Sequence, residues 1–175
     1  MIDTEEITEL LMQEIERHGL SRNKLFSEAL DGARPSKPIL VKRLDKTESY
    51  YYLVPMKKGN TVTAMASIDA MSGQLGGCVA YPEPIKTPFI TRAQIVKRIT
   101  GRTIDLGKGK IELCEGKFRV EPEMVWKPCK ETLSPYYPLY VVTTATDKQI
   151  FIDYMGNVYT ELHEVGPAVK KNNLK

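Results

Sequence analysis

Apolar residues recur at helical spacing near the N-terminus of the chain and then change to strand-like spacing. The helical stripe consists of Ile7, Leu10, Leu11 and Ile15. Asp3 and Glu6 have the spacing of a capping box before this stripe, and His18-Gly19 supplies a stop after it. A second short helix is predicted to end at Asp31-Gly32, so the first 32 residues are predicted to be helical.

The next segments are rich in β-branched and aromatic residues and are separated by turn residues. Predicted strands cover residues 38–44, 50–54, 62–68 and 75–81. Pro82, Pro84 and Pro88 then interrupt the pattern within seven residues. Because prolines punctuate regular structure, they predict an internal boundary at this point.

The order of helix and then strands restarts after the proline cluster. Thr91 begins a predicted helix whose apolar side includes Ile95 and Ile99. Further strands are predicted at residues 111–114, 118–120, 136–144, 149–153 and 157–162. We therefore predict two helix-plus-sheet repeats, residues 1–84 and 85–165, and a flexible tail at residues 166–175.

Two short segments in these halves are similar. Each has an Ile-Asp-x-Met sequence followed by a Gly, one polar residue and an aliphatic residue, at 68–75 and 152–158. Asp69 and Asp153 can cap a turn with their carboxylates, and Gly73 and Gly156 can adopt the positive φ that the turn needs. The repeated segment indicates an internal duplication with structural roles for these four residues.

This arrangement resembles the PepSY family, whose repeat is a helix followed by antiparallel strands with a final hairpin marked by Asp, Gly and an aliphatic residue. Ser72 stands where that family often has Thr, whereas the second copy lacks the position, and residues 121–134 have no counterpart. The resemblance implies a duplicated α+β fold of helix plus antiparallel sheet units. A cystatin-like curved sheet around a helix is the alternative. The PepSY resemblance also implies non-enzymatic, extracellular or membrane-associated modules that bind or restrain peptidases.

Composition and charge are those of an ordinary globular protein. The hydrophobic fraction is 42%, the charged fraction is 27%, and the net charge is +3, which is too balanced to predict nucleic-acid binding. No apolar run approaches the roughly 18 residues of a membrane helix, so membrane insertion is not expected. The N-terminus lacks the pattern of a signal peptide, which predicts a cytoplasmic protein, or an exported one if a signal was removed.

Few residues are available for catalysis. Cys78, Cys114 and Cys129 form no Cys-x-x-Cys pair, and we expect reduced thiols, with a Cys114–Cys129 disulfide as the alternative. His18 suits a helix C-terminus, and His163 is expected to pair with Glu161 on a strand surface. We therefore predict no enzyme activity, no metal site and no cofactor.

Aromatic residues instead predict a binding surface. Trp126 lies between two prolines in a loop-like context and is the strongest interface candidate, together with Tyr51, Tyr137 and Tyr140. Exposed Tyr and Trp side chains provide contact area at low entropic cost. Alternation along the strands should bury some of these side chains, so ordinary core packing is the alternative for each of them. The leading hypothesis is a non-catalytic module that binds a protein or peptide, including by strand addition, and that regulates a peptidase or an assembly.

A second hypothesis is a nucleic-acid or phosphate-binding accessory protein. Its binding residues would be lysines interleaved with aromatics, namely Lys57, Lys58, Lys108, Lys110, Lys127 and Lys130. Strong salt dependence would distinguish this hypothesis from peptide binding. The oligomeric state is not predicted.

Overall fold

The structure is a computed structural model that describes residues 1–107 and 109–165, so the predicted tail at 166–175 lies outside the described residues. Its helices are α1 (Thr4–Arg17), α2 (Ser27–Leu30) and α3 (Arg92–Ile99), with a short 3-10 turn at Leu20–Arg22. The carboxylate of Asp3 caps α1 by accepting from the backbone N–H groups of Glu5 and Glu6. A capping box of Thr91 and Gln94 begins α3.

The strands are β1 (Arg34–Pro35), β2 (Ile39–Arg43), β3 (Tyr50–Lys58), β4 (Thr61–Asp69), β5 (Leu75–Ile85), β6 (Thr103–Asp105), β7 (Lys110–Glu112), β8 (Phe118–Trp126), β9 (Leu139–Thr144), β10 (Gln149–Ile152) and β11 (Val158–Tyr159). Within the described residues, nine of them form one sheet in the order β11-β10-β9-β8-β2-β3-β4-β5, with β1 paired to β3. Strands β6 and β7 form a separate hairpin.

The predicted fold class was wrong. The described residues are mostly β, with 40% in strands and 18% in helices, and they build one large mixed sheet instead of duplicated helix-plus-sheet units. The sheet becomes mixed where β2 and β8 pair in parallel, Val41 opposite Met124 and Arg43 opposite Trp126. This pairing satisfies backbone groups that two separate sheets would leave exposed at their edges. The other strand pairs are antiparallel, as expected from the hairpin signals.

Apolar side chains fill the space on both faces of the central sheet. On one face, Ile7, Leu11 and Ile15 of α1 belong to a core with Tyr52 and Val54. The other face carries a core that includes Ile95 and Ile99 of α3. Since successive side chains of a strand point to opposite faces, β3 and β4 contribute to both cores and are almost continuously buried.

The strand β8 extends further than the sequence indicated. The predicted strand ended at Val120 and was followed by an insert at 121–134, but β8 continues to Trp126 through a register shift between Val120 and Met124. Such an irregularity accommodates the Glu121-Pro122-Glu123 segment while the strand keeps its pairing with β9 on both sides of it. Among the described residues, no helix is long and apolar enough to cross a membrane.

Candidate functional site

The parallel junction between β2 and β8 is short. The two strands pair only from Val41–Met124 to Arg43–Trp126, although β2 begins two residues earlier and β8 begins at Phe118. The irregular segment of β8 before Met124 lies where the pairing with β2 would otherwise continue. The two strands therefore separate at one end of the junction, and a cleft occupies the gap.

This cleft has a volume of about 470 Å³, within the ordinary size range of ligand sites. Among the described residues, the lining comes from several segments of the chain. They are residues 36–40, Pro55 and Lys57 of β3, residues 86–90 with Arg92, Glu121, Pro122 and Met124 of β8, and Tyr140 of β9. Its apolar lining consists of Ile39, Leu40, Phe89, Ile90, Met124, Tyr140 and the four prolines Pro38, Pro55, Pro88 and Pro122. Because proline φ angles are fixed, these walls need little ordering when a ligand binds.

In the part of the chain that the structure describes, four basic side chains line the cleft: Lys37, Lys57, Lys86 and Arg92. Lys37, Lys86 and Arg92 belong to exposed residues, and Lys57 is half-buried. Within residues 1–107 and 109–165, none of the four makes an ion pair. We call the cleft and these four cations the basic cleft.

Glu121 is the acidic residue in the lining of the basic cleft. Its carboxylate accepts hydrogen bonds from Thr143 and from Arg119, the latter at 3.0 Å. These two interactions lower the pKa of Glu121 below its ordinary value, so the group is ionised at neutral pH. Since Arg119 partners Glu121, that carboxylate does not neutralise the four cations of the lining.

Tyr140 positions the connection that forms one wall of the cleft. Its hydroxyl donates a hydrogen bond to the carbonyl oxygen of Ile90, and the Thr87 hydroxyl donates to the carbonyl of Phe89 at 2.8 Å. Burial raises the pKa of Tyr140, which is 5% exposed. Tyr140 was predicted to contact a partner from an exposed strand surface, but most of its side chain is used in this packing.

The other end of the junction is closed by aromatic packing. Trp126 is 7% exposed and meets Tyr51 edge to face, with ring centroids 6.4 Å apart. Arg43 lies over the Trp126 ring at 5.2 Å from its centroid and pairs with Asp45 at 2.6 Å. The Tyr51 hydroxyl donates to the carbonyl of Pro135 at 2.7 Å. We call this region the closed end.

The burial of Trp126 and Tyr51 corrects the sequence-based picture of an exposed aromatic surface. The prolines that flank Trp126 suggested a loop, but Trp126 is the last residue of β8 and belongs to the same core as Tyr51 and Tyr140. Within the described residues, its indole Nε1 is buried without a hydrogen-bond partner. These three aromatic residues therefore stabilise the sheet and do not present a free surface.

Tyr137 is the predicted binding aromatic that stays exposed. It is 39% exposed and packs on Tyr154 with ring centroids 4.9 Å apart. Met155, next to Tyr154, is 64% exposed. The structure therefore separates Tyr137 from the buried cluster of Tyr51, Trp126 and Tyr140.

The two Asp-containing turns have the local geometry that their sequences suggested. Asp69 accepts from the backbone N–H groups of Met71 and Ser72, and Asp153 accepts from Met155 and Asn157. Gly73 and Gly156 have φ values of +70° and +88°. A Cβ atom at Gly73 would lie 2.8 Å from Leu10 of α1, and one at Gly156 would lie 2.7 Å from Arg98 of α3.

Two of the cysteine thiols are held in the protonated form by burial, and His163 is engaged with a carboxylate. All three thiols are free, Cys129 is completely buried, and burial raises the pKa of Cys78 to about 11. His163 contacts the carboxylate of Glu131 at 2.7 Å, in place of the expected Glu161. Within the described part of the chain, no three His, Cys, Asp or Glu side chains are grouped in a way that could hold a metal ion.

The lysines of the nucleic-acid hypothesis do not share one surface. Lys57 of β3 lies opposite Arg34 of β1, near the end of the junction where β2 begins. Lys127 follows Trp126, at the end of the junction where β2 and β8 end. The Lys58 ammonium donates to the carbonyl of Glu28 at 2.6 Å. Lys108 lies outside the described residues.

Sequence reasoning missed most of the basic cleft. Lys37, Lys86 and Arg92 were not singled out, because each belongs to a different segment of the chain. A usable signal was the position of basic residues within or beside proline-rich segments, as in Lys37-Pro38 and Lys86-Thr87-Pro88. Prolines at a sheet margin often mark a place where strand pairing stops.

Comparison of the chain with protein-family models, with curated proteins and with solved structures found no match. The PepSY resemblance therefore stays a prediction that rests on the two turns and their preceding helices.

Proposed function

We propose that this protein is a non-catalytic binding module that holds a peptide segment of a partner protein in the basic cleft. The observation that carries the proposal is the gap between β2 and β8, where an apolar, proline-walled cleft of about 470 Å³ lies open to solvent. Apolar clefts with a few polar groups at the margin are the usual form of a recognition site.

The position of the cleft favours binding of a peptide through its side chains over addition of the peptide as a further strand of the sheet. Pro38 and Pro122 stand on the two sides of the gap and have no N–H group to donate, which disfavours addition of a peptide strand there. Met124 and Ile39 provide apolar surface for an anchoring side chain of the ligand. The PepSY resemblance, as a prediction, favours a peptidase or a larger assembly as the source of the peptide.

The chemistry of the potential nucleophiles supports a non-catalytic role. Burial raises the pKa values of Cys78 and Cys129, so these thiols are protonated at neutral pH. His163 is engaged with Glu131. Neither thiol lines the basic cleft.

Selection from a library of random dodecapeptides displayed on mRNA tests the proposal. We expect peptides that bind the wild-type protein and that lose binding when Ser36→Trp fills the cleft. Thr47→Trp is the matched control, because Thr47 is exposed at the β2–β3 turn near the closed end. The proposal is wrong if no peptide is enriched, or if the enriched peptides bind the Ser36→Trp variant as tightly as the wild type.

A further inference from the structure

The basic cleft has a strong excess of positive charge, although the whole chain is nearly balanced. The net charge of the chain is +3, whereas the lining, as far as the structure describes it, has the cations Lys37, Lys57, Lys86 and Arg92 and one acid, Glu121. Glu121 is paired with Arg119, which lies outside the lining. The cations therefore keep their attraction for an external anionic group.

The cations and the apolar side chains of the cleft belong to the same lining. Lys37 comes from the segment before β2, Lys57 from the end of β3, and Lys86 and Arg92 from the connection that leads into α3. Met124, Ile39 and Ile90 belong to the same lining. A ligand that fits this combination carries negative charges together with an apolar side chain.

We infer that the ligand of the basic cleft is an acidic peptide segment, in which Asp or Glu residues accompany an aliphatic or aromatic anchor. This inference rests on the proposed function, since it specifies the peptide class that the same cleft selects. Charge complementarity of this kind provides specificity and a faster association rate. It also distinguishes acidic partners from basic ones by like-charge repulsion.

A nucleic acid fits the same cations less well. Binding of single-stranded nucleic acid depends on aromatic faces on which bases can stack. The aromatic residues of the lining are Phe89 and Tyr140, which are 8% and 5% exposed. The Tyr140 hydroxyl is also engaged with Ile90. Among the described residues, the lining therefore offers little exposed aromatic surface for stacked bases, but it has apolar surface for a side chain.

The same dodecapeptide selection tests the charge of the ligand. We expect the enriched peptides to be acidic on average relative to the starting library and to contain an apolar residue. Binding of these peptides, measured by fluorescence anisotropy, should weaken about tenfold or more in the double variant Lys86→Glu/Arg92→Glu, since two attractions become repulsions.

Lys110→Glu/Lys117→Glu provides the matched control. It changes the net charge by the same amount at two exposed positions that are not in the cleft lining. We expect this control to weaken peptide binding less than about twofold, through the overall charge alone. A twenty-nucleotide oligo-dT, labelled in the same way, is the nucleic-acid probe and should bind more weakly than the peptides.

The outcomes separate the inference from the proposed function. Enriched peptides that are neutral or basic, yet sensitive to Ser36→Trp, would overturn the acidic-peptide inference and leave the cleft as a peptide site. Equal losses of peptide affinity in Lys86→Glu/Arg92→Glu and Lys110→Glu/Lys117→Glu would also overturn the acidic-peptide inference. Binding of oligo-dT more tightly than the selected peptides would overturn it as well. Failure of the Ser36→Trp test would contradict the proposed function itself.

Discussion

The two ends of the β2–β8 junction differ in structure although the same two strands form them. At the closed end, Arg43 and Trp126 pair across the strands and are covered by Tyr51 and Asp45. At the other end the strands separate, and the cleft is lined by cations that form no ion pair with any residue that the structure describes. The difference accords with a division of roles, since buried and paired groups stabilise the sheet whereas the exposed cations of the cleft are the groups that the proposed ligand would contact.

Replacement of Trp126 by alanine should have the largest effect on stability. Truncation of a buried aromatic residue costs about 3–5 kcal/mol, through lost burial and a residual cavity. Urea denaturation followed by circular dichroism measures the loss. Trp126→Phe is the control, and it should lose less than about 1.5 kcal/mol because a ring is retained. A Trp126→Ala variant as stable as the wild type would show that the packing of the closed end does not stabilise the sheet.

Replacement of Arg43 by alanine should have an intermediate effect. The change removes the stacking on Trp126 and the two hydrogen bonds to Asp45, and we expect a loss of about 1–2 kcal/mol. Arg43→Lys keeps the charge but not the planar fork, so it should restore only part of the stability. Complete rescue by lysine in urea denaturation would contradict the stacking role.

Protonation of Asp45 at low pH should lower the free energy of unfolding by a measurable amount, smaller than the loss expected for Arg43→Ala. The hydrogen bond from Arg43 lowers the pKa of Asp45, so this carboxylate stabilises the fold above the unfolded pKa of about 3.9. That contribution is lost as the pH falls through the lower folded pKa. Asp45→Asn should therefore be less stable at pH 7, by under about 1 kcal/mol, and converge with the wild type near pH 2. If the free energies of unfolding of Asp45→Asn and of the wild type change in parallel with pH, the Asp45 carboxylate does not stabilise the fold through Arg43.

Charge reversal in the basic cleft should have the smallest effect on stability. Lys86 and Arg92 are exposed and make no ion pair within the described residues, so Lys86→Glu/Arg92→Glu should change the free energy of unfolding by less than about 0.5 kcal/mol. Denaturation in urea, monitored by Trp126 fluorescence, checks this value. A loss above 2 kcal/mol would mean that these cations stabilise the fold and would remove the contrast between the two ends.

The sequence predicted local elements more successfully than their assembly. The spacing of Ile7, Leu11 and Ile15 identified α1, and the capping residue Thr91 identified the start of α3. These signals are local, because a helix or hairpin depends on neighbours in the chain. The parallel pairing of Val41 with Met124 joins residues more than 80 positions apart, and no periodicity in the sequence specifies it. The mixed sheet was therefore missed.

The burial of most of the predicted binding aromatics was missed for a related reason. Trp126 was expected to be exposed because prolines flank it, but its exposure depends on whether β8 reaches that residue and on what covers it. The basic cleft combines residues from separate segments of the chain, so it has no contiguous motif. The roles of Asp69 and Asp153 were accessible from sequence, since a turn and its capping carboxylate lie within a few residues.

Methyl NMR of the protein labelled at its methionine methyl groups tests the assignment of the binding site most directly. The chain has seven methionines; Met124 lines the basic cleft, whereas Met155 lies beside the exposed pair of Tyr137 and Tyr154. On titration with a selected peptide, we expect the Met124 signal to shift and the Met155 signal to stay unchanged. A shift at Met155 without one at Met124 would place the ligand on the tyrosine pair and contradict the assignment of the basic cleft.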